Sequence, residues 1–237
     1  MSNFVFIGVL LLSITAYGQQ LSGTQLLDKA IQYHDPNGNW NSFKGEFIVT
    51  MKTPKKPKRV TAIAIDLPAQ CFSAKATSQK NTTEYQIDKE TVQLVFNGDQ
   101  NPSEALKKKY KLSAARAKMY RDYYTYLYGL PMKLKDPGTI INEEVKLKNM
   151  QGKLYYVLQV TYDKKVGKDT WFFYFNTTTY AMERYQFFHD LAKNDGEYIV
   201  LEAEEIIHGI KMPKKRAWYF NKDATYLGTD VLSQIKE

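Results

Sequence analysis

The sequence predicts a mainly β (α+β) fold: one large curved antiparallel sheet, a half-barrel of about 11 strands, with a short N-terminal helix and one long middle helix packed on it. Three observations carry this. Apolar residues alternate with period two through most of both halves of the chain, the alternating segments are joined by short turns with no helix-length crossover, and the later segments run to about ten residues each. Parallel neighbours need long crossovers, so the sheet is antiparallel, and doubly wound and α/β-barrel folds are excluded. Strands of that length span ~33 Å and need strong twist and curvature to bury a face.

The elements follow in order. Ser22 to His34 places Leu26, Leu27, Ala30, Ile31 and His34 on one helical face, and Asp35-Pro36-Asn37-Gly38-Asn39 ends that helix with turn chemistry. From Phe43 the period becomes two, with Phe43, Gly45, Phe47, Val49 and Met51 on one side. Further strands are read at Val60 to Leu67, Cys71 to Thr77, Thr83 to Ile87 and Val92 to Phe96. A long helix is predicted from about Pro102 to Tyr128, with Leu106, Tyr110, Ala114, Ala117, Tyr120, Tyr124 and Leu127 inward and lysines outward, stopped by Gly129-Leu130-Pro131. Six strands remain: Thr139 to Lys148, Leu154 to Asp163, Thr170 to Asn176, Met182 to His189, Tyr198 to Ile207 and Arg216 to Lys222. Trp171-Phe172-Phe173-Tyr174-Phe175 has no polar face, so that strand must be covered on both sides.

The chain has 237 residues, 43% hydrophobic and 24% charged, with 18 Tyr and 12 Phe, the balance of an ordinary folded domain. Residues 1–18 read as a signal peptide: Phe4 to Ile14 is an apolar run too short to span a membrane, followed by Ala16-Tyr17-Gly18, although Met1-Ser2-Asn3 brings no Lys or Arg. Residues 19–237 then form one domain. The single cysteine, Cys71, forms no intramolecular disulfide, lies far from any lipid-acceptor position, and is read as a small strand hydrophobe.

The order of elements, the segment Asn176-Thr177-Thr178-Thr179-Tyr180-Ala181-Met182-Glu183-Arg184 between two long strands, and Gly209-Ile210-Lys211-Met212-Pro213 before a late strand resemble the LolA/LolB-like group of bacterial exported proteins. More closely, Tyr126 to Asp136 with its Gly-Leu-Pro centre, His34-Asp35 before Trp40, and Tyr226-Leu227-Gly228-Thr229-Asp230 are similar to an exported bacterial family of unknown function. The resemblance implies a half-barrel with helices closing its open side and room for an acyl chain. It implies an exported protein of the periplasm or cell envelope of a Gram-negative bacterium and carries over no functional residue; the short apolar run and the position of Cys71 add that the mature protein is soluble and not a lipoprotein.

No catalytic or cofactor motif is present, so the reading is a noncatalytic binding or carrier module for a lipid or acyl chain, without cofactor or metal. Alternatives are an envelope scaffold with a filled core and a carbohydrate-binding module. His34, His189 and His208 are far apart and are read as structural, and Glu202, Glu204 and Glu205 as a solvated row. Candidate ligand contacts are Tyr124, Leu130, Tyr156, Leu158, Tyr162, Trp171, Phe173, Phe175, Trp218 and Phe220 on the concave face. The net charge of +8 gathers in Lys52 to Arg59, in a helical patch of Lys107, Lys108, Lys111, Arg116 and Lys118, and in Lys211, Lys214, Lys215 and Arg216. Export makes nucleic acid an improbable partner and an anionic membrane surface or a lipidated protein a more accessible one; the chain is read as a monomer. Each buried methylene contributes ~0.8 kcal/mol, so a lipid reading depends on a cavity more than on the lysines.

Overall fold

A computed structural model describes residues 21–235; the reading of a signal peptide falls outside the described residues. Ser22 caps α1 (Gly23–His34), its hydroxyl accepting from the Gln25 backbone while the Gln25 side chain accepts from the Ser22 N–H. Asp35 ends the helix and accepts from the backbone N–H groups of Asn39 and Trp40, each at 2.8 Å, which fixes the turn into the sheet.

Five strands then run as a meander: β1 (Lys44–Thr53), β2 (Lys56–Asp66), β3 (Cys71–Ser78), β4 (Asn81–Asp88) and β5 (Thr91–Phe96). The chain crosses beneath the concave face through α2 (Glu104–Tyr110) and α3 (Ala114–Gly129). It returns by β6 (Thr139–Ile141), β7 (Lys146–Met150), β8 (Lys153–Tyr162), β9 (Thr170–Asn176), β10 (Met182–Phe188), β11 (Glu197–Ile207), β12 (Ile210–Phe220) and β13 (Tyr226–Gln234). The order β5-β4-β3-β2-β1-β13-β12-β11-β10-β9-β8-β6 makes one antiparallel open sheet of 13 strands, with β7 beside β6 on the free edge of β8. The two meanders join where β13 pairs with β1, and the helices supply the one long traverse from edge to edge: sixteen residues of α3 reach ~24 Å.

Two expected elements are divided. Thr139 to Lys148 becomes β6 and β7, because Asn142 turns its side chain back onto the Glu144 N–H and a Glu143 carboxylate oxygen accepts from Thr24 N–H at 3.1 Å, which ties this stretch to α1. The long helix breaks at Lys111, which takes a left-handed conformation (φ 56°), and Ser113 caps α3 through Arg116 N–H. The inward spacing runs unbroken across that corner, which is why periodicity alone shows one helix.

The core fills the concave face. Phe47 lies 4.7 Å from Tyr128 of α3, and Ile63, Phe173, Phe175, Tyr185 and Ile199 are almost fully buried around them. Gly129 is required by packing, since a Cβ there would sit 2.2 Å from the Trp40 indole. His34 joins α1 to the sheet: Nδ1 donates to Lys211 O at 2.7 Å and Nε2 accepts from Met182 N–H at 2.9 Å. Burial holds its pKa below the ordinary value. On the outer side of β9 the cover comes from side chains, not a helix: Tyr155 meets the Tyr174 ring edge-on at 6.3 Å, and the Arg184 guanidinium lies 5.5 Å from it. Asn176 shapes the next hairpin by accepting from the N–H groups of Thr178 and Thr179.

Candidate functional site

Curvature brings strands that are distant in the sheet close together at one end of the half-barrel, and there the filling is incomplete. A cleft of about 630 Å³ opens between the β2–β3 turn, the outer face of α3 with the segment that follows it, and the β8–β9 connection. That is within the range of small-molecule sites, about 300–1,000 Å³. Its apolar wall is Ile65, Phe72, Tyr126, Tyr162 and Trp171, and Val166, 58% exposed, stands at the lip. Gly138 must stay small and left-handed (φ 84°) here, since a Cβ would lie 2.7 Å from Val166.

The wall is ordered by its own contacts. Trp171 stacks on Phe187 at 4.8 Å and meets Tyr126 edge-on at 5.7 Å. The hydroxyls of Tyr126 and Tyr162 lie 2.5 Å apart, and burial pushes Tyr162 up to about 12, so both remain neutral. The rim is charged but internally paired: Arg121 with Asp122 at 2.9 Å, Lys133 with Asp136, and Asp169 with His189 at 2.8 Å, a bond that raises the histidine pKa. Cys71 also lines the cleft, and desolvation together with the nearby Asp88 raises its thiol pKa, the opposite of an activated nucleophile. The wall thus offers apolar contact inside a polar lip.

Of the ten aromatic and aliphatic candidates, Tyr162 and Trp171 line this cleft. Leu130, Leu158, Phe173 and Phe175 are buried core, and Tyr124 is buried on α3, stacked between Tyr120 and Tyr128. Tyr156 stacks flat on Tyr180 at 6.1 Å, Trp218 packs edge-on to Tyr185, and Phe220 is 43% exposed near the end of β12. The basic candidates Lys107, Lys108, Lys111 and Arg116 gather in a shallow groove of about 380 Å³ at the α2–α3 corner, while Lys118 turns away to pair with Glu90 at 3.0 Å. A broader trough of about 950 Å³ includes outward polar residues such as Glu46, Ser73, Gln86 and Gln93, in register across β1 to β5. It is an open surface of mixed character, with Ile65, Phe72, Ile87 and Ile235 beside the polar residues.

Sequence reasoning missed a polar seam inside the barrel. Arg216, read as part of a solvated cluster, is 1% exposed: it donates to Pro213 O at 2.9 Å and to Leu127 O at 3.1 Å, and lies 4.1 Å from the Tyr128 ring. It thereby satisfies a last-turn carbonyl of α3 and clamps the helix to the sheet. Asp230 sits opposite Arg216 in register, and Met51 and Arg59 continue the same row across β1 and β2. No ion pair within 4.0 Å joins Asp230 to either arginine among the described residues, and burial pushes its carboxyl up to about 6 against their pull. Asp230 Oδ1, Arg216 Nε, Arg59 Nε, Trp218 Nε1 and the hydroxyls of Tyr128 and Tyr185 are buried without a hydrogen-bond partner among the described residues. The signal available was register: an arginine and an aspartate at inward positions of strands that later prove adjacent.

The architecture is that of the LolA-like half-barrel. It superposes on a LolA superfamily protein, NE2245 from Nitrosomonas europaea, with a TM-score of 0.52 and 11% identity over 92% of this chain and 94% of that one. A DUF1329 family protein from Desulfovibrio piger gives 0.49 and 10% identity over 89% and 91%. At such identities the likeness shows the fold alone. The chain belongs to the DUF6503 family, a family of unknown function, which it matches over residues 2–235. No curated protein matches the sequence.

Proposed function

We propose that this protein is a noncatalytic carrier or binding module for a hydrophobic ligand, a lipid or acyl chain, acting in the periplasm or cell envelope of a Gram-negative bacterium. The observation that carries the reading is the cleft at the open end of the half-barrel, where Trp171, Tyr126, Tyr162 and Phe72 leave about 630 Å³ unfilled beneath a paired polar rim. Ten buried methylenes contribute ~8 kcal/mol before ordering costs are subtracted, enough for useful affinity without covalent chemistry. The likeness of fold to a LolA superfamily protein supports the same direction. Among the described residues no helix is long and apolar enough to cross a membrane, and no three His, Cys, Asp or Glu side chains cluster as a metal site.

The wall residues bind and the rim orients. Tyr162 and Trp171 contact the chain, with Phe173, on which Trp171 stacks at 6.0 Å, packed behind them. A fluorescent fatty acid offered to delipidated protein tests this. One probe per chain is expected, competed by unlabelled fatty acid and weakened by Trp171→Ala. Absence of uptake across several lipid classes, with the fold intact, would leave an envelope scaffold as the better reading.

A further inference from the structure

A second hollow lies under α3, away from the cleft. It holds about 100 Å³, room for several waters or one small anion, and is walled by β2, β3, β4 and the two middle helices. Its origin is legible in β3, where Ala74 and Ala76 stand in register with Ile63 and Thr61 on one side and Tyr85 and Thr83 on the other. Two small side chains in a row of larger ones leave a pit in the sheet.

The chemistry of this pit is one-sided. Arg59 enters from β2 and Arg116 from α3, with the hydroxyl-bearing Thr61, Thr83, Tyr85 and Tyr124 around them, and no carboxylate lines it. Neither arginine forms an ion pair within 4.0 Å among the described residues. Arg59 Nε is buried without a partner, and the hydrogen bond Arg116 makes is to the Tyr120 hydroxyl at 3.3 Å. Burial strips hydration from the Arg59 guanidinium, and the buried carboxylate whose charge reaches it, Asp230, lies outside the pit; an anion held between the two side chains offsets that lost hydration. Arg116 also borders the shallow groove at the α2–α3 corner with Lys107, Lys108 and Lys111, where the one acid, Glu104, is paired with Lys107 at 2.8 Å. The groove therefore leads a cationic surface to the cationic pit.

We propose that this pit is a phosphate site, in which Arg59 and Arg116 clasp the phosphate group from two sides and threonine and tyrosine hydroxyls donate to its remaining oxygens. Two cations and several neutral donors match a dianionic, many-acceptor group better than a carboxylate. The phosphate is free in solution or is the head of an amphiphile approaching over the α2–α3 corner. The site stands on its own residues and does not require an acyl chain in the cleft.

The test uses the full-length protein and two probes, inorganic phosphate and dodecyl phosphate below its micelle concentration, each titrated calorimetrically against sodium chloride at matched ionic strength. Saturable binding of either probe is expected, weakened about tenfold or more by Arg116→Gln and by Arg59→Gln. Arg116→Lys should restore part of it, because it returns the charge without the fork. Lys135→Gln, which removes an equal charge far from the pit, should leave it unchanged. Binding of inorganic phosphate identifies a free oxyanion, and binding of dodecyl phosphate alone identifies a lipid headgroup. Circular dichroism confirms that each variant is folded. If neither probe binds beyond chloride, or if binding survives in a folded Arg59→Gln/Arg116→Gln double variant, the pit is filled by water and the proposal is wrong.

Discussion

Asp230→Asn should stabilise the protein at neutral pH, and the size of the effect follows from the seam that holds it. Asp230 is 3% exposed on β13, its Oδ1 has no hydrogen-bond partner among the described residues, and burial outweighs the attraction of Arg216 and Arg59. Its carboxyl is raised from 3.8 to about 6. At 1.36 kcal/mol for each tenfold change, ionising it in the folded protein costs about 3 kcal/mol at pH 7. A raised carboxyl pKa means the folded state holds a proton that the unfolded chain has released. The penalty is therefore absent below about pH 4, grows up to about pH 6, and is constant above it. Asparagine copies the protonated shape without the charge. Urea unfolding of both proteins at pH 7.5 and pH 3.5 isolates the effect, because other carboxylates cancel in the difference. The variant is expected to be more stable by about 3 kcal/mol at pH 7.5 and nearly equal at pH 3.5. A variant less stable than the parent at pH 7.5 would mean that Asp230 is a charged, productively paired partner of Arg216, and the reasoning about burial would fail.

Three further outcomes are expected. His34→Phe leaves the Met182 N–H and Lys211 carbonyl without their bonds and should cost about 2–4 kcal/mol by urea unfolding. Because burial lowers the His34 pKa, its contribution is full above about pH 6.5 and is lost as pH falls below that, so the parent should lose stability relative to the variant as pH falls below 6.5. Gly129→Ala drives a methyl into the Trp40 ring and should destabilise by about 1–3 kcal/mol, read as a lower thermal midpoint.

The meanders were legible because one face of each strand is core, so the alternation of Phe43, Phe47 and Val49 or of Tyr185 and Phe187 survives in the sequence. The β6–β7 split and the Lys111 break were not, since neither disturbs the apolar period: one is set by Glu143 reaching α1, the other by a left-handed residue followed by a capping serine. Nor was β13, which joins the two meanders, or the start of β12 at Ile210: the last strand read was Arg216 to Lys222, and the inward row of β13 is broken by Gly228 and Asp230. Trp171 and Tyr162 were found as aromatics on inward positions. Asp136, Pro137 and Val166 were not, because the cleft is assembled from segments that become neighbours only when the sheet curls. Arg59 and Arg216 were hidden among surface lysines, and only the register of β2, β1, β13 and β12 reveals that they face inward.

Native mass spectrometry of the protein purified from its own cell envelope bears most directly on the carrier reading. The account predicts one retained amphiphile per chain, lost or sharply reduced in Trp171→Ala with the fold unchanged. A bare polypeptide mass from freshly isolated protein, together with no uptake of added lipid, would contradict it.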